Sequence, residues 1–399
     1  MTTHDPDASE LPAMPGWLAV LLAVACGVVV ANLYYSQPLA GPISASLGMA
    51  PGAAGLIVTL TQLGYGAGLL LVVPLADLVE NRRLVVLLLL GCAVALLAAA
   101  AARSPAPFLL ASLGIGVGSV AVQVLVPYAS HMVPEARRGR VVGNLMSGLM
   151  LGIMLARPVS SLLAQLMSWH AVFVLSAAAT LLVAGVLRLK LPVRLPAPGL
   201  RYGALLLSMV RLLRDTPVLR RRALYQACLF GAFSLFWTTV PLLLAGPVFG
   251  LSQGGIALFA LAGAAGAVAT PIAGRMADRG WTRVGTPLAM AAVGGAFLLT
   301  HLGTPGSTAA LGWLVAAAVL LDFGVAANLT LGQRALFVLG AAQRGRLNGL
   351  FMATFFVAGA AGSAVGGWAY ARGGWGLTSA IGVALAAAGL AYLVTERTR

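Results

Sequence analysis

The 399-residue sequence predicts an all-α integral membrane protein of twelve spanning helices, arranged as two six-helix repeats. Three observations carry that prediction. Apolar residues fall in runs long enough to cross a bilayer, basic residues crowd into alternate loops, and the second half repeats the first. Mean hydropathy is +0.96. Only 9% of residues are charged, against about 25% in soluble domains.

Runs of about 18 or more apolar residues read as membrane-spanning helices. They fall at 16–40, 51–75, 84–103, 107–132, 140–166 and 170–190, then at 222–247, 253–275, 284–303, 309–335, 346–371 and 375–395. The tail before the first run, MTTHDPDASELP, is acidic and lacks a basic n-region, so the first span is expected to be retained and not cleaved as a signal peptide. Cys26, Cys92 and Cys228 all fall inside spans, and no disulfide framework is implied.

The formal charge is +15, and its placement argues against a nucleic-acid partner. Loops on one side hold 22 basic residues, among them Arg82, Arg83, Arg137, Arg138, Arg140 and the cluster from Arg188 to Arg222. The other side holds only Arg103 and Arg372. The positive-inside rule then puts both termini and the central loop in the cytoplasm.

The chain divides into an N-terminal six-helix bundle with a short acidic tail (1–190), a basic linker (191–221) and a C-terminal six-helix bundle (222–399). The linker, rich in proline and arginine, holds a segment at 202–214 that suits a short amphipathic helix on the anionic leaflet. The halves match at several places. RRGRVVGNLM (137–146) aligns with QRGRLNGLFM (343–352), LAGP (39–42) with LAGP (244–247), and LAD (75–77) with MAD (276–278). Trp169 and Trp375 each stand 31 residues after the corresponding arginine, and Gly118 and Gly324 keep the same offset. Parallel repeats of this kind are a transporter architecture, with the site near the midplane between them.

Of ten acidic residues, Asp322 alone lies within a span, and Arg157 is the lone base there. At 1.5 Å per residue, each lies about 18 Å from its nearer boundary. An unpaired charge at that depth costs about 2.5–3.5 kcal/mol on insertion scales. Each therefore needs a partner or a wet cavity. The pair reads as a static bridge, as a bridge that opens during transport, or as Arg157 holding an anionic ligand while Asp322 is paired elsewhere. By elimination Asp322 is the group that can exchange a proton inside the membrane, with Arg157 as its partner.

Further polar groups are candidates for lining a substrate cavity. Asp322 and Gln333 are 11 residues apart, which puts them on one helix face, and Gln123 and Ser130 share another. Asn32, Tyr35 and Ser36 have i, i+3, i+4 spacing in the first span. Gln62, Tyr65, Trp237, Thr238 and Asn328 complete the set. Histidines 131, 170 and 301 sit near span ends, where an interfacial role suffices. Metal-ligand clusters, phosphate-binding loops and nucleophile–base pairs are absent from the sequence, so no cofactor or metal is expected.

Two loops then bring a resemblance into view. VPLADLVENRR (73–83) keeps Leu75, Ala76, Asp77, Arg82 and Arg83 of a G-x-L-A-D-R-x-G-R-R pattern, without its glycines and with one extra residue. GRMADRGWTR (274–283) keeps Gly274, Asp278, Arg279 and Arg283. Over nearly its whole length the chain resembles the major facilitator superfamily. The resemblance implies that these loops act as a cytoplasmic latch between conformations, a carboxylate at a helix end held by arginines. GIMLARPVSSLL (152–163) is similar to the fifth-helix pattern G-x-x-x-G-P-x-x-G-G of proton-coupled exporters. Gly152 and Pro158 remain, Arg157 replaces the glycine before the proline, and Ser160 and Ser161 replace the last pair. ANLYYSQPLAGPI (31–43) also resembles the bacterial drug and metabolite efflux branch.

The expected function is therefore proton-coupled export of a small organic molecule by a monomer. Uptake by a symporter of the same fold is the alternative. An integral-membrane transferase is remote, because the non-cytoplasmic loops are short and carry no carboxylate.

Overall fold

The computed structural model describes residues 15–195, 201–263, 265, 269–340 and 343–396. Among them every regular element is a helix. A lipid-exposed segment must satisfy its own backbone groups, and a helix does so. Leu87, Val94, Leu110 and Leu182 are exposed on the outer surface, as a lipid-facing belt requires.

The first expected span is two helices, α1 (Gly16–Ala31) and α2 (Ser36–Ser46), joined through a turn at residues 32–35. Pro38 explains the break. It has no N–H for the Tyr34 carbonyl, which instead accepts from the Gln37 amide at 3.2 Å. The second and third spans are α3 (Gly55–Leu71) and α4 (Asn81–Ala101). The fourth is α5 (Pro105–Ser119) followed by α6 (Ala121–Ser130). The fifth and sixth are α7 (Glu135–Leu166) and α8 (Trp169–Lys190).

The linker holds α9 (Tyr202–Asp215), the short amphipathic helix expected there, with Leu205 and Met209 buried. Its Tyr202 hydroxyl donates to the Leu71 carbonyl at 2.7 Å, and its Ser208 hydroxyl accepts from Arg346 at 3.0 Å. It thus grips one residue from each half of the chain.

The second half starts with α10 (Pro217–Ala245). Part of the expected span 253–275, residues 264 and 266–268, lies outside the described residues. The rest is described as α11 (Gln253–Gly263) and α12 (Ala269–Asp278), with Ala265 in a tight turn between them. Gly263 ends the first of these helices and Pro271 lies in the first turn of the second, and glycine and proline are the poorest helix formers. Then come α13 (Thr282–Leu299), α14 (Thr308–Phe337) and α15 (Arg344–Val394). The last holds both remaining spans, kinked at Gly373 and Gly374. Gly374 has φ +58°, in the left-handed region that glycine alone enters freely. Among the described residues ten helical stretches are long and apolar enough to cross a membrane, the kinked pair counting as one.

Both described chain ends lie on one face. Lys190 sits 5.9 Å over the Trp17 ring, and Arg221 donates to the Thr395 carbonyl at 3.0 Å. On the opposite, far face the two halves meet closely. A Cβ on Gly55 would stand 2.1 Å from the Ser363 carbonyl oxygen. Thr59 donates to the Ala360 carbonyl at 3.0 Å, and the Gln165 side chain accepts from the Gly254 amide at 3.2 Å. Toward the terminal face the halves part. Among the described residues no hydrogen bond or ion pair joins α6 or the start of α7 to the end of α14 or the start of α15.

Candidate functional site

Glycine sets up the position of Arg157. A Cβ on Gly152 would stand 2.2 Å from the Gly27 carbonyl oxygen, and one on Gly148 would stand 2.2 Å from that of Ala23. Small residues therefore let α7 lie backbone-to-backbone on α1. Arg157 falls on another face of α7 and points between the halves. It is only 3% exposed. Its Nε donates to Oε1 of Gln37, on α2, at 2.7 Å. Its guanidinium carbon lies 4.3 Å from the Trp237 ring centre and 5.1 Å from those of Tyr34 and Phe233. Phe233 and Trp237 are one turn apart on α10 and so share a face.

Asp322 sits at the middle of α14, 14 residues from Thr308 and 15 from Phe337. Its Oδ1 accepts the Trp237 indole N–H at 2.8 Å. Arg157 and Asp322 form no ion pair in the structure, which sets aside the static bridge among the three readings of the pair. Trp237 touches both, presenting its negative ring face to the cation and its N–H to the carboxylate. A desolvated cation–π contact contributes about 2 kcal/mol. Three such faces are comparable to the insertion cost of the arginine, so Arg157 does not need Asp322 in order to be buried.

Gly263, at the end of α11, completes this centre. A Cβ there would lie 2.6 Å from Trp237 and 2.9 Å from Oδ2 of Asp322. Helices from both halves therefore converge on one cluster of cation, rings and carboxylate.

The other sequence candidates divide in two. Gln62 reaches across the halves, donating to the Ser234 hydroxyl at 2.6 Å. Gln123 donates to the Tyr65 hydroxyl at 2.9 Å, and Tyr65 packs on Phe356 with ring centres 4.5 Å apart. These two residues belong to the inter-half seam. Asn32 does not. It accepts from Ser176 and donates to Thr180 at 3.5 Å, tying α1 to α8 within the first half. Tyr35 is partly buried against the first-half core. Asn328 donates to Gln226 at 2.7 Å inside the second half. Gln333 donates to Asn348 at 3.1 Å in a pocket at the terminal end, where Arg334 and Arg344 also lie. It shares a helix face with Asp322 but stands about 16 Å away along the axis.

The two loop motifs also differ. Asp278 pairs with Arg334 at 3.1 Å, linking α12 to the end of α14. Gly274 leaves room beside the same arginine, and Arg279 lies over Trp281 at 5.6 Å. Arg283 follows within the first turn of α13. In the first half Asp77 is exposed and makes no ion pair among the described residues. Arg82 pairs with Glu80 at 3.7 Å and donates to the Leu191 carbonyl at 3.1 Å, while Arg83 is exposed at the start of α4.

Sequence reasoning missed Tyr34, Gln37 and Phe233. A continuous first helix points Asn32, Tyr35 and Ser36 one way. The turn before Pro38 rotates the chain, so that Tyr34 and Gln37 face Arg157 instead. The signal was present in the Y-Y-S-Q-P run, as a proline four residues after Tyr34. Among the described residues no group of three or more histidine, cysteine or acidic side chains could hold a metal.

The family model of the Major Facilitator Superfamily matches residues 20–312. The chain is 39% identical over 377 residues to an Escherichia coli chain described as the uncharacterized transporter YgaY, covering 94% of this chain and 93% of that one. It is 34% identical over 371 residues to a Streptomyces coelicolor chain described as a probable transporter, covering 90% and 83%. Among solved structures the nucleoside transporter NupG superposes with a TM-score of 0.73 at 17% identity, over 94% of this chain and 99% of that one. That likeness speaks for the fold. A helical chain that crosses the membrane many times and matches both this family model and these relatives is a transporter and not an enzyme, and it belongs to the major facilitator superfamily.

Proposed function

We propose that the chain is a proton-coupled secondary transporter of a small organic molecule, working as a monomer by alternating access, with Asp322 as the proton carrier. The observation that carries this reading is the placement of Asp322. It is the acidic side chain within a span, it is partly exposed, and it lies between the halves against Trp237. Charges inside a membrane protein mark ion and substrate pathways. The terminal face is the cytoplasmic one by the basic-residue asymmetry, in a bacterial inner membrane, as the likeness to the bacterial efflux branch implies. The halves then part toward the cytoplasm.

Export is the first direction considered. It is supported by the likeness to exporter fifth helices, whose glycine packing is kept by Gly152 against Gly27. Uptake on the same fold is the second. It is favoured by Arg157, which stands where that pattern has glycine.

The test is reconstitution in proteoliposomes with a panel of labelled metabolites. For compounds that wild type exchanges, Asp322→Asn keeps counterflow and no longer responds to an imposed proton gradient. A variant that still concentrates substrate on such a gradient places the proton site elsewhere.

A further inference from the structure

We propose that Arg157 and Gln37 form a carboxylate-binding subsite, so that the molecule carried is an organic anion whose apolar body lies among Tyr34, Phe233 and Trp237. This rests on the reading that the centre between the halves is the substrate site, and not on the direction of transport. Two donors carry the inference. Nη2 of Arg157 and Nε2 of Gln37 are buried and have no acceptor. The residues are 3% and 0% exposed. The Nε–Oε1 contact at 2.7 Å holds both side chains together, so the two free donors belong to one locus. The Ser161 hydroxyl, one turn further along α7 on the same face, is likewise buried without a partner.

The protein supplies no acceptor for them. Oδ1 of Asp322 is taken by the Trp237 N–H, and no ion pair joins the carboxylate to the guanidinium. A buried donor without an acceptor is costly, and a guanidinium is always charged. Its fork matches a carboxylate in shape and sign. A cationic substrate would be repelled here, and an apolar neutral one would leave the donors unmet. Three aromatic faces around the cation suit a flat or branched apolar body next to the carboxylate.

The charge count also bears on coupling. Arg157 and ionised Asp322 sum to zero. An anion on Arg157 together with a proton on Asp322 sums to zero again. Anion and proton therefore enter the low-dielectric centre together at no net charge, which is the sense of a symporter. The subsite thus selects the second of the two directions above.

Binding to the folded state raises thermal stability in proportion to affinity. The test is thermal unfolding of the purified full chain in detergent with benzoate or cyclohexanecarboxylate, each beside its amide and its amine. The expected result is a saturable rise in Tm with a carboxylate and none with its partners. That rise disappears in Arg157→Gln and weakens about tenfold or more in Gln37→Leu, which loses one donor to an anion. Arg157→Lys keeps the charge without the fork, and it too binds more weakly. Three results overturn the proposal: no rise with either acid in folded wild type, an amide or amine as effective as its acid, or a rise that survives Arg157→Gln. An amine effect lost in Trp237→Leu keeps the substrate site here and removes the anion alone. A carboxylate effect untouched by Arg157→Gln, Gln37→Leu and Trp237→Leu removes the site itself.

Discussion

The indole N–H of Trp237 ends on Oδ1 of Asp322, 2.8 Å away. Through this bond a second-half aromatic, already stacked on a first-half arginine, also holds the carboxylate at the centre of α14. One side chain thus responds to any change in charge on either partner.

Trp237→Phe separates the two contacts. The ring stays over Arg157 and the N–H to Asp322 is lost. A hydrogen bond to a charged group contributes about 1.5–3 kcal/mol, so a loss of that order is expected in unfolding of the purified protein. Gradient-driven transport falls more than counterflow does. Equal effects on both would make Trp237 a packing residue only.

Gly263→Ala tests the crowding around the same ring. Within an ordinary helix, alanine is better than glycine by about 1 kcal/mol. Here its Cβ would meet Trp237 at 2.6 Å, and overpacking typically costs about 1–3 kcal/mol. The clash wins, so the variant is less stable or moves Trp237, which its fluorescence reports. A more stable variant with unchanged fluorescence refutes the close packing.

On the far face a Cβ on Gly52 would lie 3.8 Å from that of Ala371. This matches the usual Cβ separation in a disulfide, about 3.8 Å. The native cysteines are free, with Cys26 and Cys92 buried. Gly52→Cys combined with Ala371→Cys should therefore cross-link on mild oxidation and hold the far face shut. Transport stops and returns with reductant. Full transport by the cross-linked protein would mean that these ends do not separate in the cycle.

Asp278 and Arg334 are more than half exposed, and such pairs contribute about 0–1 kcal/mol to stability. Asp278→Asn should express normally and melt as wild type does while transport slows. Asp77 makes no ion pair among the described residues, so Asp77→Asn should also fold normally, and any slowing reports a contact formed in another conformation. If both variants transport at the wild-type rate, neither loop is a latch.

The helical class and the positions of the spans were legible because a bilayer demands long apolar runs, which need no knowledge of packing. Arg157, Asp322 and Trp237 were legible because charge and a large polar aromatic are conspicuous in such runs. Tyr34 and Gln37 were not, since their direction depends on a turn that Pro38 imposes on one helix. Asn32 misled for the same reason: a lone amide looks alike in sequence whether it lines a cavity or, as here, joins α1 to α8. A direct Arg157–Asp322 bridge was one reading drawn from a count of charges, and that count ignores the ability of aromatic faces to stabilise a cation.

The helix α9 holds the Leu71 carbonyl with its first residue and Arg346 with its seventh. Six residues of helix separate these grips by about 9 Å along the axis, and a helix barely stretches. It therefore works as a strut that fixes the spacing of the two halves at that edge. If the terminal ends swing together in the proposed alternating access, one grip has to let go, and it reforms on the return stroke. The linker would then give that motion a mechanical stop at one end of its travel.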